Sequence, residues 1–474
     1  MTDRPMLKFV ERGQAYPPKR HAEARAQDFR EIADRYAVPT AEDQASRCSQ
    51  CGVPYCSVHC PLHNHIPDWL RLTAEGRLRE AYELSNATST MPEICGRICP
   101  QDRLCEGNCV IEFSGHGAVT IGSVEKFITD TAWAEGWVEP VQVGPARGQS
   151  VAVIGAGPAG LTAAEYLRGN GYDVHVYDRH DRAGGLLTYG IPGFKLEKPV
   201  VMRRIDRLKA AGIVFHEGFA IGEHVSLDDL RRRHDAVLIA TGVYRARAVE
   251  VPGADGATAA LDYLTASNRK GFGDAVPAFD DGRLDAAGKH VVVIGGGDTA
   301  MDCVRTAIRQ GAASVKCLYR RDRANMPGSQ REVANAEEEG AEFIWLSAPL
   351  AFEEGRVRAS RMRLGSPDAS GRRAPERDPG GDIAVDADLV IKALGFDAED
   401  LPTLWGAPEL GVSRWGTVLV DAKTLMTSLD GVFAAGDIVR GASLVVWAIR
   451  DGRDVAASMH KWLKAKAASE RVAA

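Results

Sequence analysis

The 474-residue chain is 45% hydrophobic and 26% charged, with 58 lysines and arginines against 64 aspartates and glutamates, a net charge of −6. That composition at that length calls for two or three globular domains, and the slight acidity gives no sign of a nucleic-acid surface. No apolar run approaches bilayer-spanning length and the first twenty residues hold no secretory apolar core, so the expected location is cytoplasmic, where thiols stay reduced.

Eight of the ten cysteines lie between Cys48 and Cys109. The first group reads C-x2-C-x4-C-x3-C-P (Cys48, Cys51, Cys56, Cys60), the second C-x3-C-P-x4-C-x3-C (Cys95, Cys99, Cys105, Cys109). Disulfides are not expected in a reducing compartment, so the cluster calls for metal. Zinc favours paired C-x2-C knuckles, and only one occurs here; the spacing is nearer the ferredoxin run, whose last cysteine before proline serves the other cluster. Two 4Fe–4S clusters are therefore expected. Cys48, Cys51 and Cys56 hold one, and Cys60 joins the second group. Either Cys95 or the carboxylate of Glu125 completes the first cluster. His59, His63 and His65 are the remaining donors nearby. Between the groups, residues 68–88 carry the spacing of amphipathic helices able to shield clusters from water. The segment 138–150, VEPVQVGPARGQS, reads as a linker.

A strand expected over Val151–Ile154 runs into Gly155, Gly157, Pro158, Ala159 and Gly160, then a helix and a second strand ending at Asp178. The glycines allow a tight turn, close approach of a pyrophosphate and helix–strand packing, and Asp178 is positioned to accept ribose hydroxyls. The pattern recurs at Gly295, Gly296, Gly297, Asp298, Thr299 and Ala300. Its second strand ends in Arg320 and Arg321 instead of an acid, which suits a 2′-phosphate and favours NADPH over NADH. Apolar strands ending at Thr241–Gly242 and at Gly395 read as crossings between a discontinuous domain and one inserted into it. A further strand ends in Gly436–Asp437, with Asp437 set to bond a flavin's ribityl chain. The fold class expected is α/β: a helical iron–sulfur domain over 1–145, then two nested Rossmann-like domains. The first spans 146–247 and 399–474, and the second is inserted at 248–398.

No G-x-S-x-G is present and no redox C-x-x-C stands in the crossing segment ATGVYR. Cys303 and Cys317 read as small buried hydrophobes. Electrons therefore leave through the front-end cysteines. The run 336–342 reads as a solvated helix end, and 366–382 as a polar surface loop.

The motifs GAGPAG, AGGLLTYGIPGFKLEK (183–198), GGGDTAMD, ALGF and FAAGD, with CGRICP and CEGNC in front, resemble the small (beta) subunit family of bacterial NADPH-dependent glutamate synthase. The module is also similar to the N-terminal half of dihydropyrimidine dehydrogenase. The resemblance covers nearly the whole chain. It implies FAD at the first fingerprint, NADPH at the second, and a flavin lined by Gly184, Gly185, Leu186, Tyr189, Ile191 and Pro192. It also implies a large (alpha) subunit partner carrying FMN and further iron–sulfur, which hydrolyses glutamine and reductively aminates 2-oxoglutarate in a higher-order hetero-oligomer. Some relatives replace one cluster cysteine by another side chain, which keeps Glu125 beside Cys95. Two rivals remain: an NADPH-linked iron–sulfur subunit serving a different partner, and a zinc-bound docking module on a plain flavoprotein.

Overall fold

A computed structural model describes residues 5–367 and 373–473. Proline at the first turn starts several front-end helices, where a missing N–H costs nothing: Val38–Ala45, Ile66–Ala74 and Pro92–Ile98. With Leu78–Asn86 and Ile121–Ala134 they enclose a core built on Trp69, Leu70, Ile121, Val124 and Ile128. The expected helical pair over 68–88 is present as two of these helices.

Two five-stranded parallel sheets follow. The first orders its strands Val432–Ala434, Ala236–Ile239, Ser150–Ile154, Asp173–Asp178 and Val214–Glu217. The second orders Thr258–Ala259, Leu389–Lys392, His290–Ile294, Ser314–Tyr319 and Glu342–Trp345. Their central strands, SVAVI and HVVVI, are apolar at almost every position because helices or a further sheet cover both faces. Val151 and Val153 point to one core while Ala152 and Ile154 point to another. The first of these cores lies under helices Pro158–Gly169 and Val445–Ala473. The chain crosses between the sheets as a two-stranded antiparallel ribbon pairing Arg245–Ala246 with Phe396–Asp397. Among the described residues no helix is long and apolar enough to cross a membrane.

Two sequence expectations are corrected here. The stretch 366–382 is not a simple loop: Arg356–Pro367 and Arg373–Asp386 pair as a long antiparallel hairpin, with residues 368–372 outside the described part. Its proline and glycines signal a turn locally, yet main-chain pairing and cross-strand charges such as Arg363–Glu376 at 3.2 Å carry the strand through them. Nor is the acidic run 336–342 merely solvated. Glu339 is buried and receives Arg305 at 2.8 Å, Arg309 at 2.6 Å and Arg25 at 3.0 Å. Three guanidiniums supply the charge that makes burial of this carboxylate tolerable.

Candidate functional site

The eight front-end thiols divide four and four around two small cavities. Cys48, Cys51, Cys56 and Cys109 line one. Cys60, Cys95, Cys99 and Cys105 line the other, with Glu125. Cys109 therefore stands where Cys95 or Glu125 was expected to complete the first set, and both of those face the second. Neither cavity is lined by His59, His63 or His65; the His59 ring stacks on Tyr55 instead. Among the described residues no three His, Cys, Asp or Glu side chains converge closely enough for a single metal ion. Burial pushes the Cys48 and Cys56 thiols up to about 12 and Cys60 up to about 11. Cys99 is raised first by its hydrogen bond with Cys95 and then by burial. Thiols held that high become thiolates only against a strong positive charge, which iron supplies. The donor set thus fits metal centres.

At the first fingerprint, Gly155 has φ +108°, and a Cβ there would lie 2.4 Å from the Ala240 carbonyl oxygen. No other residue allows the strand to turn so tightly against its neighbour. Gly157 faces open space at the start of helix Pro158–Gly169, the cradle a pyrophosphate needs. Asp178 accepts from the Ala156 N–H at 2.7 Å and the His180 N–H at 2.8 Å, so it braces the loop at the strand end where an acid for the ribose was expected. Gly184 donates to Ala156 O at 2.8 Å, and Gly185 packs over Gly157. This brings the 183–192 turn, with Leu186, Tyr189, Ile191 and Pro192, onto the fingerprint. Gly436 abuts Ala159, which places Asp437 on the same side, its Oδ1 accepting from Ser443 Oγ at 2.6 Å. Thr241, next to Gly242, has a buried hydroxyl with no partner, a polar atom left for a ligand.

The second fingerprint repeats this geometry. Gly295 turns at φ +144° against Ala393 O, Gly297 faces open space, and Ala300 is fully buried behind them. Gly296 packs on the Tyr319 ring, and Gly395 accepts from the Arg247 N–H at 3.1 Å. Asp298 is engaged by the Ser329 N–H at 2.9 Å and by Arg103 at 3.2 Å. Arg320 is exposed at the strand end, and Arg321 keeps a buried Nε without a partner, so both guanidiniums fit a phosphate.

A cavity of about 520 Å³ lies where the three parts meet, a volume typical of cofactor and substrate sites. Cys99 and Lys126 reach it from the front domain, Ile191, Lys195 and Val445 from the first Rossmann domain, and Thr299 from the second.

Comparison with known proteins agrees with this layout. Residues 25–137 match the family model "dihydropyrimidine dehydrogenase domain II, 4Fe-4S cluster", and residues 149–452 match "pyridine nucleotide-disulphide oxidoreductase". The glutamate synthase [NADPH] small chain of Azospirillum brasilense is 65% identical over 473 residues, covering 98% of each chain. The chain belongs to the glutamate synthase NADPH small-chain family. The Escherichia coli small chain is 45% identical over 472 residues, covering 97% of this chain and 99% of that one. In fold, the chain is similar to FprA from Mycobacterium tuberculosis in complex with NADPH, with a TM-score of 0.56 at 22% identity over 68% of this chain and 86% of that one.

This member of the small-chain family is an NADPH-dependent oxidoreductase with an iron–sulfur front domain. Within the span matched to disulphide oxidoreductases its cysteines are Cys303 and Cys317, both buried. Burial raises each thiol, so neither serves as a thiolate relay. Sequence reasoning missed two buried groups that brace the loops within their own domains. Lys198 donates to Leu187 O at 3.0 Å and to Ile191 O, pinning the turn over the first fingerprint, and burial brings its ammonium down to about 7. Glu106, buried beside Cys105, accepts from the Gly122 N–H at 2.9 Å and from Tyr16 at 2.8 Å. No local pattern marks either residue, since each partner is remote in sequence or is a backbone atom.

Proposed function

We propose that this chain is the electron-input subunit of a glutamate synthase, oxidising NADPH so that a large subunit carrying FMN converts L-glutamine and 2-oxoglutarate, with NADPH and a proton, into two L-glutamates and NADP+. The observation that carries the reading is continuity of the lining residues. Cys99 borders both the central cavity and the second thiol cavity, and Ile121 borders both thiol cavities. FAD, when bound, accepts the hydride's two electrons and releases them singly to iron–sulfur centres. Gly157 and Gly297 offer their open cradles to the two pyrophosphates, while Thr241 and Asp437 face the flavin side. Arg320 and Arg321 hold the 2′-phosphate. Cys48, Cys51, Cys56 and Cys109 hold the outer 4Fe–4S cluster.

Five donors face the second cavity, and four hold the inner cluster. Glu125 is buried, its carboxyl lifted to about 8 chiefly by burial, and it accepts from Ser85 Oγ at 3.2 Å. Among the described residues it has no ion pair, and an iron would supply the opposite charge its ionised form needs. Cys95 packs in the apolar core, where a neutral thiol costs nothing. Cys60, Cys99, Cys105 and Glu125 are therefore the inner ligands. Cys95→Ala is expected to leave total iron unchanged, whereas Glu125→Ala alters the electron paramagnetic resonance signals of the inner cluster. The reverse pattern would exchange the two assignments.

Arg320→Ala is expected to raise KM for NADPH on the order of tenfold and to leave NADH nearly unaffected, the cost of one charge-assisted phosphate contact. Equal effects on both nucleotides would remove the 2′-phosphate role. The whole reading is tested by combining the chain with candidate large subunits and assaying NADPH-, glutamine- and 2-oxoglutarate-dependent glutamate. NADPH-driven reduction of artificial acceptors, with no glutamate from any such pairing, would point to a different catalytic partner.

A further inference from the structure

The turn over the first fingerprint ends in Gly193-Phe194-Lys195, and these three residues leave their own domain. Phe194 is buried, with the Arg305 and Arg309 guanidiniums 4.4 and 4.0 Å from its ring centre. Both arginines lie on helix Asp298–Arg309, which begins at the second fingerprint. Phe29 of the front segment also packs against Phe194, ring centres 6.3 Å apart. Lys195 reaches the same helix. Its Nζ is 2.9 Å from Asp302 Oδ1 and 3.8 Å from Glu332 Oε2, with all three side chains largely buried.

This contact is held by ion pairs on both sides, which distinguishes it from incidental packing. Glu332 also accepts from Arg305 at 2.6 Å, and Arg305 and Arg309 share Glu339 with Arg25 of the front segment. Glu338 accepts from Arg25 as well. Lys195, Arg25, Arg305 and Arg309 thus meet Asp302, Glu332 and Glu339 in the interior, while the more exposed Glu338 is shared between Arg25 and Lys19 at the rim. A buried, paired network of this kind tolerates little displacement, because moving one member strands another in a low-dielectric interior. Lys195, Asp302 and Glu332 also line the central cavity, at the boundary between the two nucleotide domains.

We propose that Phe194 and Lys195 form a latch that fixes the second Rossmann domain against the first, and that Lys195 is thereby a positioning residue for hydride transfer. This rests on reading the two fingerprints as the FAD and NADPH sites. The step it serves moves one hydrogen with its electron pair from nicotinamide to flavin and leaves NADP+. Its rate depends steeply on the separation of the two rings, and that separation is set by how the domains dock. Asn268 donating to Tyr189 O at 2.8 Å and Arg182 pairing with Asp274 at 2.7 Å hold the domains elsewhere. Loss of Lys195 therefore loosens the cavity side without separating the domains.

The test compares the purified chain with Lys195→Met, Lys195→Arg and the uncharged pair Lys195→Met/Asp302→Asn, the last guarding against unfolding caused by an unpaired carboxylate. Amide exchange over 191–198 and 298–309 is followed without added nucleotide. Flavin reduction at saturating NADPH and the Kd of NADP+ are measured alongside. Lys195→Met and the uncharged pair are expected to exchange faster in both segments and to lower the limiting rate on the order of tenfold, while NADP+ affinity stays within about twofold. Lys195→Arg should restore the rate. Unchanged exchange with an unchanged limiting rate would overturn the latch. A rate loss matched by an equal loss of NADP+ affinity, with exchange unchanged, would overturn it too by making Lys195 a nucleotide contact. Failure of the unaltered chain to reduce its flavin with NADPH would count against the assigned cofactor sites, and amide exchange would still decide the latch.

Discussion

Cys109→Ser is expected to leave NADPH reduction of the flavin close to that of the unaltered protein and to abolish glutamate formation with the large subunit. Cys109 lines the outer thiol cavity with Cys48, Cys51 and Cys56 and does not border the central one. In the proposed function the hydride passes between the two fingerprints, away from the cavity Cys109 lines, so it does not require the outer cluster. Discharge to a partner does, because the inner cavity is walled by Ile66, Trp69 and Val446, whereas the outer one is bordered by Tyr55, half exposed at the surface. Serine is a poor ligand for this soft, thiolate-bound metal. The variant should lose about half of its iron and labile sulfide, four irons of eight. Iron analysis, stopped-flow absorbance and the coupled assay read the three expectations separately. Full iron content with intact glutamate formation would remove Cys109 from the path and return the fourth position of the outer cluster to another donor.

The parts legible in the sequence are those whose cause is local. A glycine that must turn at positive φ against a neighbouring strand leaves its mark within six residues, and both fingerprints stand where their spacing put them. Arg320 and Arg321 follow from the same unit, since a strand end is fixed once its glycine loop is. The cysteine count predicted metal for the same reason. Partition of the thiols was legible only in part: the crossing of Cys60 to the second group followed from its spacing, and the place of Cys109 did not. Cys105 and Cys109 are one short turn apart yet face different cavities, and that choice is made by how helix Ile121–Ala134 folds back between the groups. The front segment was equally silent. Arg25 carries no periodic pattern, and it is buried against Glu338 and Glu339, more than three hundred residues away. The hairpin over 356–386 shows the opposite failure, in which strong local turn residues are overruled by pairing with a distant strand register.

The largest stability effect is expected at Glu93. Its helix, Pro92–Ile98, carries Cys95 and leads into Cys99, and its carboxylate is fully buried. Arg204, on helix Lys198–Ala210 of the first Rossmann domain, meets it in a two-point pair, Nε to Oε1 at 2.9 Å and Nη2 to Oε2 at 2.8 Å. The Trp133 ring lies 5.3 Å from the same guanidinium. Truncating Glu93 to alanine leaves a buried cation with its Nη1 already unpartnered, and the neighbouring carboxylate, Glu165, is already paired with Arg207 at 2.5 Å. Breaking such a pair costs about 3–5 kcal/mol, far more than the pair contributes when both partners are exchanged for apolar groups. Glu93→Ala should therefore lower the Tm of the front domain on the order of 10 °C, read by differential scanning calorimetry, and expose the 138–149 linker to protease. Glu93→Leu/Arg204→Met should recover most of that loss, because it strands no charge. A fall in Tm below about 2 °C for Glu93→Ala would show that solvent reaches Arg204 and that the pair does not join the domains. Recovery in the double variant together with normal electron transfer would separate the two functions of this helix: its cysteines serve the redox centres, while Glu93 anchors them against the flavin domain.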